Sequence, residues 1–266
     1  MTGRLQDRVA IVTGAGSVGP GWGNGRAIAV YFAREGAKIL AIDTDDEALA
    51  TTVEQIRTEG GLVEPLHCDV TDESQIRAMV EHCLSRFERI DILVNNVGGS
   101  RAGGPVDLVE EDWQRQLDVN LTSVYLGCRH VIPVMEAQKS GVIINISSAS
   151  GMRYTGAPQV GYAAAKAAVI QLSKVVAVQY AKSGIRVNTI VPGQLHTPMV
   201  EVRLAGQRAG GDVDALLAQR QRRIPIPFMG DGTDTAWAAV YLASDEARFV
   251  TATEIVVDGG MVARCD

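Results

Sequence analysis

Aromatic side chains are scarce in this chain, basic ones are outnumbered, and cysteines are few and dispersed. Phe, Tyr and Trp make up 5% of the 266 residues, and 25 Lys and Arg face 31 Asp and Glu, a net charge of −6. A nucleic-acid binder usually presents a basic face, so that class is not expected. The four cysteines (Cys68, Cys83, Cys128, Cys265) include no Cys-x-x-Cys pair. This argues against a disulfide scaffold or zinc knuckle and for free thiols in a reducing cytoplasm. The four histidines (His67, His82, His130, His196) have no ligand spacing, and no metal centre is expected. No apolar run reaches the roughly 18 residues that span a bilayer, so no membrane association is expected. The opening Met-Thr-Gly-Arg-Leu-Gln-Asp-Arg lacks the hydrophobic core of a signal peptide. No short repeat recurs, which excludes collagen-like and coiled-coil chains.

What is present is an ordinary apolar content of 46% and many glycines, 28 in all. The length fits one α/β domain with a sizeable core. Short Val/Ile/Leu runs predict strands at Val9–Thr13, Lys38–Ile42, Leu62–Cys68, Ile92–Val94, Val142–Ile146, Arg186–Val191 and Glu254–Val257. Most are continuous, the pattern of strands buried on both faces of a parallel sheet. Amphipathic stretches near 26–35, 46–59, 72–87, 110–136, 159–182 and 233–243 alternate with them. This alternation predicts right-handed crossovers with helices on both faces. Thr71 or Asp72 caps the third helix, and Gly36, Gly60-Gly61 and Gly184 suit helix ends. The stretch 194–232 has weaker periodicity and reads as a helical excursion over the ligand end of the sheet, not a second domain.

The first strand runs into Thr13-Gly14-Ala15-Gly16-Ser17, and a helix starts near Gly25. Glycines there permit a sharp turn and let backbone N–H groups approach a pyrophosphate at a helix N-terminus. The second strand ends in Asp43, 18 residues after Gly25. A carboxylate there can bind both adenosine ribose hydroxyls and repels a 2′-phosphate. Thr44, Asp45 and Asp46 follow it without a cation. NAD is therefore expected over NADP, although a helix cap is the alternative role for Asp43. Tyr162 and Lys166 stand four apart, which places them on one helical face. A neighbouring ammonium lowers a phenol pKa from ~10 and makes it a usable acid/base, though such pairs also occur on plain solvated helices. Ser147 and Ser148 lie at the end of the fifth strand, where open parallel sheets bind ligands. Asn120 is either functional or a satisfied core amide.

Taken together, Thr13-Gly14…Gly23-Asn24-Gly25, Cys68-Asp69-Val70, Asn95-Asn96-Val97-Gly98, Asn120, Ser148, Tyr162…Lys166, Pro192-Gly193 and Val257-Asp258-Gly259-Gly260 resemble the short-chain dehydrogenase/reductase family along essentially the whole chain. The resemblance implies a seven-stranded, doubly wound Rossmann-like sheet and hydride transfer between a nicotinamide cofactor and an alcohol/carbonyl pair. It implies Tyr162 as acid/base, Lys166 as its modulator and ribose ligand, Ser148 as holder of the substrate oxygen, and Asn120 as anchor of a proton-relaying water. Gly14, Ser17, Gly23, Asn24 and Gly25 would meet the pyrophosphate, and Asp69 and Val70 the adenine. Asn95 and Asn96 would shape the crevice, with Val97 and Gly98 along the riboses. Pro192, Gly193, Leu195 and Thr197 would touch the nicotinamide. The glycine-rich loop departs from the family by an insertion, Val18-Gly-Pro-Gly-Trp22, so Gly16, Gly19 and Gly21 compete for the expected contacts. The enoyl-reductase branch also lengthens this loop, but separates its Tyr and Lys further. Val97 stands where Ala is usual. Ser148 lies 14 residues before Tyr162, one more than common, leaving Ser147 and Ser150 as alternatives.

The expected reaction is NAD-dependent interconversion of a secondary alcohol and a ketone. The alternatives are an NADPH-dependent 3-oxoacyl reductase and a non-catalytic NAD-binding scaffold or sensor. Residues 194–229 are expected to form a substrate lid. Arg203, Arg208, Arg220, Arg222 and Arg223 lie on it, facing an anionic substrate, solvent or another subunit. Met152 and Tyr154 line the pocket or pack in the core. The resemblance also implies a homo-oligomer, a dimer of dimers.

Overall fold

The computed structural model describes residues 3–204, 206, 210 and 212–265. Seven parallel strands form one sheet: β1 Val9–Thr13, β2 Lys38–Asp43, β3 Leu62–His67, β4 Ile92–Asn95, β5 Gly141–Ile146, β6 Ile185–Pro192 and β7 Glu254–Val257. Their order is β3-β2-β1-β4-β5-β6-β7. The chain winds outward one way from β1 to β3, then restarts at β4 on the other side of β1. The two crossovers diverge between β1 and β4 and open a crevice beyond the strand C-termini, where such sheets bind ligands.

Successive strand residues point to opposite faces. Ala10, Val12, Ile39 and Ala41 enter one core, together with α1 (Asn24–Arg34), α2 (Asp46–Thr58) and α8 (Gly232–Ala243). Val9, Ile11, Leu40 and Ile42 enter the other, with α3 (Glu73–Phe87), α5 (Ser123–Gln138) and α6 (Val160–Tyr180). The central strands β1 and β4 are buried at every position, which explains their unbroken apolar runs. The edge strands β3 and β7 are only partly covered.

Predicted and observed ends differ by a residue or two at most strands and helices. The larger correction concerns residues 110–136, which are not one helix. A short α4 (Glu110–Leu117) passes through a π-helical turn, Asp118–Thr122, into α5. Such a turn inserts one residue per turn and re-aims the side chains within it. Helix α7 (Val213–Gln221) lies in the stretch read as an excursion. Arg208 lies outside the described residues, as does the side chain of Arg203. Helix α6 with the turn after it, Val160–Ser183, is long and apolar enough to cross a membrane by length and composition alone. Its buried side nevertheless carries Lys166 and Ser173, and it packs against the sheet. Its apolar excess lies outward, where Val175 and Val178 are exposed.

Candidate active site

A cavity of about 1380 Å³ occupies the crevice. At one end is the loop from β1 to α1. Gly14 has φ +65, and a Cβ on Gly25 would lie 1.8 Å from the Gly14 carbonyl oxygen, so both positions require glycine. Asn96 ties this turn to β4. Its amide donates to the carbonyls of Thr13 (3.0 Å) and Gly14 (3.1 Å), and its own N–H donates to the Thr13 hydroxyl. Gly14, Gly16, Ser17, Gly23, Asn24 and Gly25 line the cavity, while Gly19 and Gly21 do not. Those last two face Pro198, and their carbonyls accept from the buried Arg26 guanidinium. Arg26 also donates to Thr52, whose hydroxyl holds the Ala15 carbonyl at 2.8 Å. Beyond Val18, which lines the cavity, the insertion thus folds away onto a buried cation.

At the end of β2, Asp43 lines the cavity and accepts three backbone N–H groups, from Gly16 (2.8 Å), Thr44 (2.8 Å) and Asp45 (3.1 Å). The cap of α2 is Asp45, which accepts from Ala48, so capping does not account for Asp43. Asp69 and Val70 line the next stretch of wall, then Asn96, Val97 and Gly98. Asn95 instead points inward. Its amide donates to Asn145, and Asn145 donates to Ser173, each at 2.8 Å. This buried polar ladder couples β4, β5 and α6 beneath the crevice.

Lys166 is the best-buried cation of the site, 2% exposed. Its Nζ donates to the Ile146 carbonyl at 2.9 Å and lies 5.8 Å from the centre of the Tyr162 ring. Burial lowers its pKa to about 8, because the charged form loses its water. Tyr162 is half-buried and lines the cavity beside it. All three serines line the cavity, but their partners differ. Ser147 is buried and donates to the Lys166 carbonyl at 2.6 Å. Ser150 is engaged by Thr155 (3.0 Å) and Gln159 (2.6 Å). Ser148 caps the short turn Ala149–Gly151, accepting from Ser150, and its half-exposed side chain lines the cavity.

Asn120 does not line the cavity. It sits fully buried in the π-helical turn, donating to the carbonyls of Gln116 (2.9 Å) and Gly99 (3.0 Å) and accepting from the Gly99 N–H. A Cβ on Gly98 would come within 2.8 Å of Asn120 Oδ1 and 2.9 Å of Lys166 Nζ, so the two heads flank that glycine. Asn120 is both a satisfied core amide and a neighbour of the site.

Pro192, Gly193, Leu195 and Thr197 close the far end. Residues that sequence reasoning missed also stand there: Gln159, Gln194, Met199 and Met261. Arg220, named in the sequence only as a lid charge, is buried, and donates to the Leu195 carbonyl at 3.1 Å. Met152 and Tyr154, by contrast, are exposed and absent from this wall. Periodicity carries no mark for the missed residues, because loops bring them in.

The cavity suits an extended dinucleotide. It is long, it starts at glycine backbone and a helix N-terminus, and it passes a strand-end carboxylate. Two buried acceptors in its wall, Asn24 Oδ1 and Gln194 Oε1, have no hydrogen-bond partner among the described residues. Buried polar atoms are rarely left so, which marks them for a ligand.

Comparison with known proteins agrees. A family profile described as enoyl-(acyl carrier protein) reductase matches residues 20–262. The oxidoreductase UcpA of Salmonella typhimurium is 36% identical over 97% of this chain and 95% of its own length. The 3-oxoacyl-[acyl-carrier-protein] reductase FabG of Thermotoga maritima is 38% identical over 97% and 99%. Among solved structures, a Burkholderia xenovorans protein described as a short-chain dehydrogenase/reductase is 61% identical. It covers 99% of this chain and 100% of its own, with a TM-score of 0.96. Levodione reductase is 34% identical over 97% and 99%, with a TM-score of 0.91.

Proposed function

The chain belongs to the short-chain dehydrogenase/reductase family of oxidoreductases, and on that premise we propose that it interconverts a secondary alcohol and a ketone with NAD. The observation that carries this reading is the buried Lys166 ammonium beside Tyr162, on the wall of a cavity that also contains Ser148 and Asp43. The bound nicotinamide would supply the acceptor or donor of the hydride. Gly14, Ser17, Gly23, Asn24 and Gly25 would hold its pyrophosphate, and Asp69 and Val70 its adenine. Asp43 would take the adenosine ribose. Asn96, Val97 and Gly98 would line the riboses, and Pro192, Gly193, Leu195 and Thr197 the nicotinamide.

In the oxidative direction, Tyr162 as phenolate takes the proton from the carbinol oxygen. Ser148 donates a hydrogen bond to that same oxygen. Lys166 stays protonated at neutral pH, since its pKa is lowered only to about 8, and its charge favours the phenolate. Asn120 fixes the Gly98-Gly99 backbone against Lys166 and is the natural anchor for a water on the proton path. The four-residue spacing of Tyr162 and Lys166 supports alcohol/ketone chemistry over enoyl reduction, despite the wording of the matching profile.

NAD is the favoured nucleotide because the Asp43 carboxylate would repel a 2′-phosphate and the residues after it are Thr44, Asp45 and Asp46. Arg26 offers no counter-charge at the surface, being buried and committed to loop carbonyls. The FabG relative keeps one other reading open, NADPH-driven reduction of a 3-oxoacyl thioester. Proteins of this family commonly form oligomers, and exposed apolar side chains on several elements support a homo-oligomer here. These include Tyr125 on α5, Val175 and Val178 on α6, Trp237 on α8, and Phe249. Residues 194–229 would act as the lid of the site.

The test is a panel of secondary alcohols, sugars and hydroxy acids scored by NADH absorbance, with the matching ketones and an acyl thioester in reverse. Turnover with NAD at least about tenfold better than with NADP is expected. A tenfold preference for NADP, or acyl thioester reduction with NADPH alone, would overturn the assignment.

A further inference from the structure

A second cavity, of about 550 Å³, opens next to the first and shares Thr155 and Met261 with its wall. Arg153, Arg222, Arg223 and Arg264 surround it, and no acidic side chain is among its described lining residues. Among the described lining residues that is an excess of positive charge, in a chain of net charge −6. Some arginines elsewhere pair with carboxylates, as Arg34 does with Glu59, Arg89 with Asp91 and Arg101 with Asp112. Among the described residues, Arg153, Arg222 and Arg223 form no such pair.

Backbone carbonyls hold these guanidinium groups in place. Arg223 donates to the Thr155 carbonyl at 2.6 Å, Arg153 to that of Arg264 at 3.1 Å, and Arg264 to that of Arg222 at 2.9 Å. Gly156 has φ +82, and a Cβ there would lie 2.4 Å from the Arg223 guanidinium. Arg223 therefore packs against bare backbone. Carbonyl acceptors position a guanidinium but do not neutralise it, and the Arg153 and Arg223 forks retain further N–H donors. Like charges gathered around one space repel, and a carboxylate or phosphate relieves that repulsion while accepting paired N–H bonds.

The position is informative. Thr155 is bonded to Ser150, two residues beyond Ser148, and its carbonyl also accepts from Gln194 in the main cavity wall. The arginine cavity thus adjoins the substrate side, whereas none of its lining residues belongs to the Asp43 end. We infer that the arginine cavity is a subsite for an oxyanion, carboxylate or phosphate, carried by the substrate away from its reacting carbon. This rests on the alcohol/ketone reading of the main cavity and narrows its substrates to anionic ones.

The experiment compares alcohols of matched length with and without a terminal carboxylate, such as β-hydroxybutyrate against sec-butanol. It uses the full-length wild type and the Arg153→Ala/Arg222→Ala double variant. Because misfolding lowers both substrates alike, the readout is the ratio of their kcat/KM values. The wild type should favour the anionic member at least about tenfold, through KM, and the double variant should bring the ratio near one. Arg222→Lys, which keeps the charge, should restore part of it. Calorimetric titration with butyrate and with inorganic phosphate gives a second readout that needs no turnover. Saturable binding should occur in the wild type and be lost in the double variant. Equal use of charged and neutral alcohols, or a preference untouched by the variant, overturns the inference, as does absence of saturable binding. Anion binding without any effect on the ratio also overturns it, because the anion is then independent of substrate. Failure of the alcohol/ketone reading would look different, as no turnover of any panel member.

Discussion

The two ends of the crevice are built by different means. At the Asp43 end, backbone does the work: a positive-φ glycine, an obligatory Gly25 and three N–H groups orienting one carboxylate. At the Tyr162 end, side chains are held by other elements. Lys166 hangs from the β5 carbonyl of Ile146, Ser147 grips α6 at Lys166, and Gln194 and Arg223 converge on Thr155. The first arrangement suits a ligand part common to a whole family of reactions. The second can vary its loops, and so its substrate, without disturbing the nucleotide.

Three changes would break or sharpen this contrast. The largest effect is expected at the side-chain end. Tyr162→Phe should lower kcat by ~10²–10⁴-fold, the worth of a positioned acid/base, while calorimetry finds NAD affinity unchanged. Retention of more than about a tenth of wild-type activity would remove Tyr162 from that role.

Next is the buried ammonium. Its folded pKa of about 8 lies below its ordinary 10.5. Between these values the unfolded chain binds more protons than the folded one, so stability rises with pH across that window. Relative to Lys166→Met, the wild type should gain up to about 3 kcal/mol from pH 8 to 10.5 and show no differential change below pH 8. Denaturant titrations of both proteins across that range measure it. Parallel curves would mean that Lys166 is better hydrated than its burial suggests.

The smallest effect is expected at the backbone end. Asp43→Ala should erode the NAD preference by about tenfold with little change in kcat, because it removes one ribose contact and one repulsion. Competition kinetics with NAD and NADP measure it. A loss confined to kcat would contradict the division of labour between the two ends.

The same contrast explains what was legible in the sequence. Two of the seven predicted strands, Val9–Thr13 and Glu254–Val257, coincide with the observed ones, and the other five lie within one residue at each end, since burial on both faces leaves unbroken Val/Ile runs. The Asp43 end was legible because glycines and a strand-end acid are visible as a pattern. The spacing of Tyr162 and Lys166 was legible as one helical face, but plain solvated helices share it, and their roles came from the resemblance. The π-helical turn at Asp118–Thr122 was not, because an apolar period running from 110 to 136 gives no sign of one inserted residue. Nor was it legible that Asn120 would turn away from the cavity, or that Arg220 would be buried in its wall. Those outcomes depend on which loop carbonyls lie nearby, and contacts across 21 and 25 positions in sequence leave no local trace. The insertion at Val18–Trp22 was visible, but its docking onto Pro198 and Arg26 was not.

The most direct measurement is a crystal structure of the protein grown with NAD. It should place both adenosine ribose hydroxyls within hydrogen-bond distance of Asp43, and the nicotinamide ring between Tyr162 and the Pro192-Gly193 turn, with Lys166 reaching its ribose. A dinucleotide bound outside this crevice, or one whose nicotinamide ring lies away from Tyr162, would contradict the account.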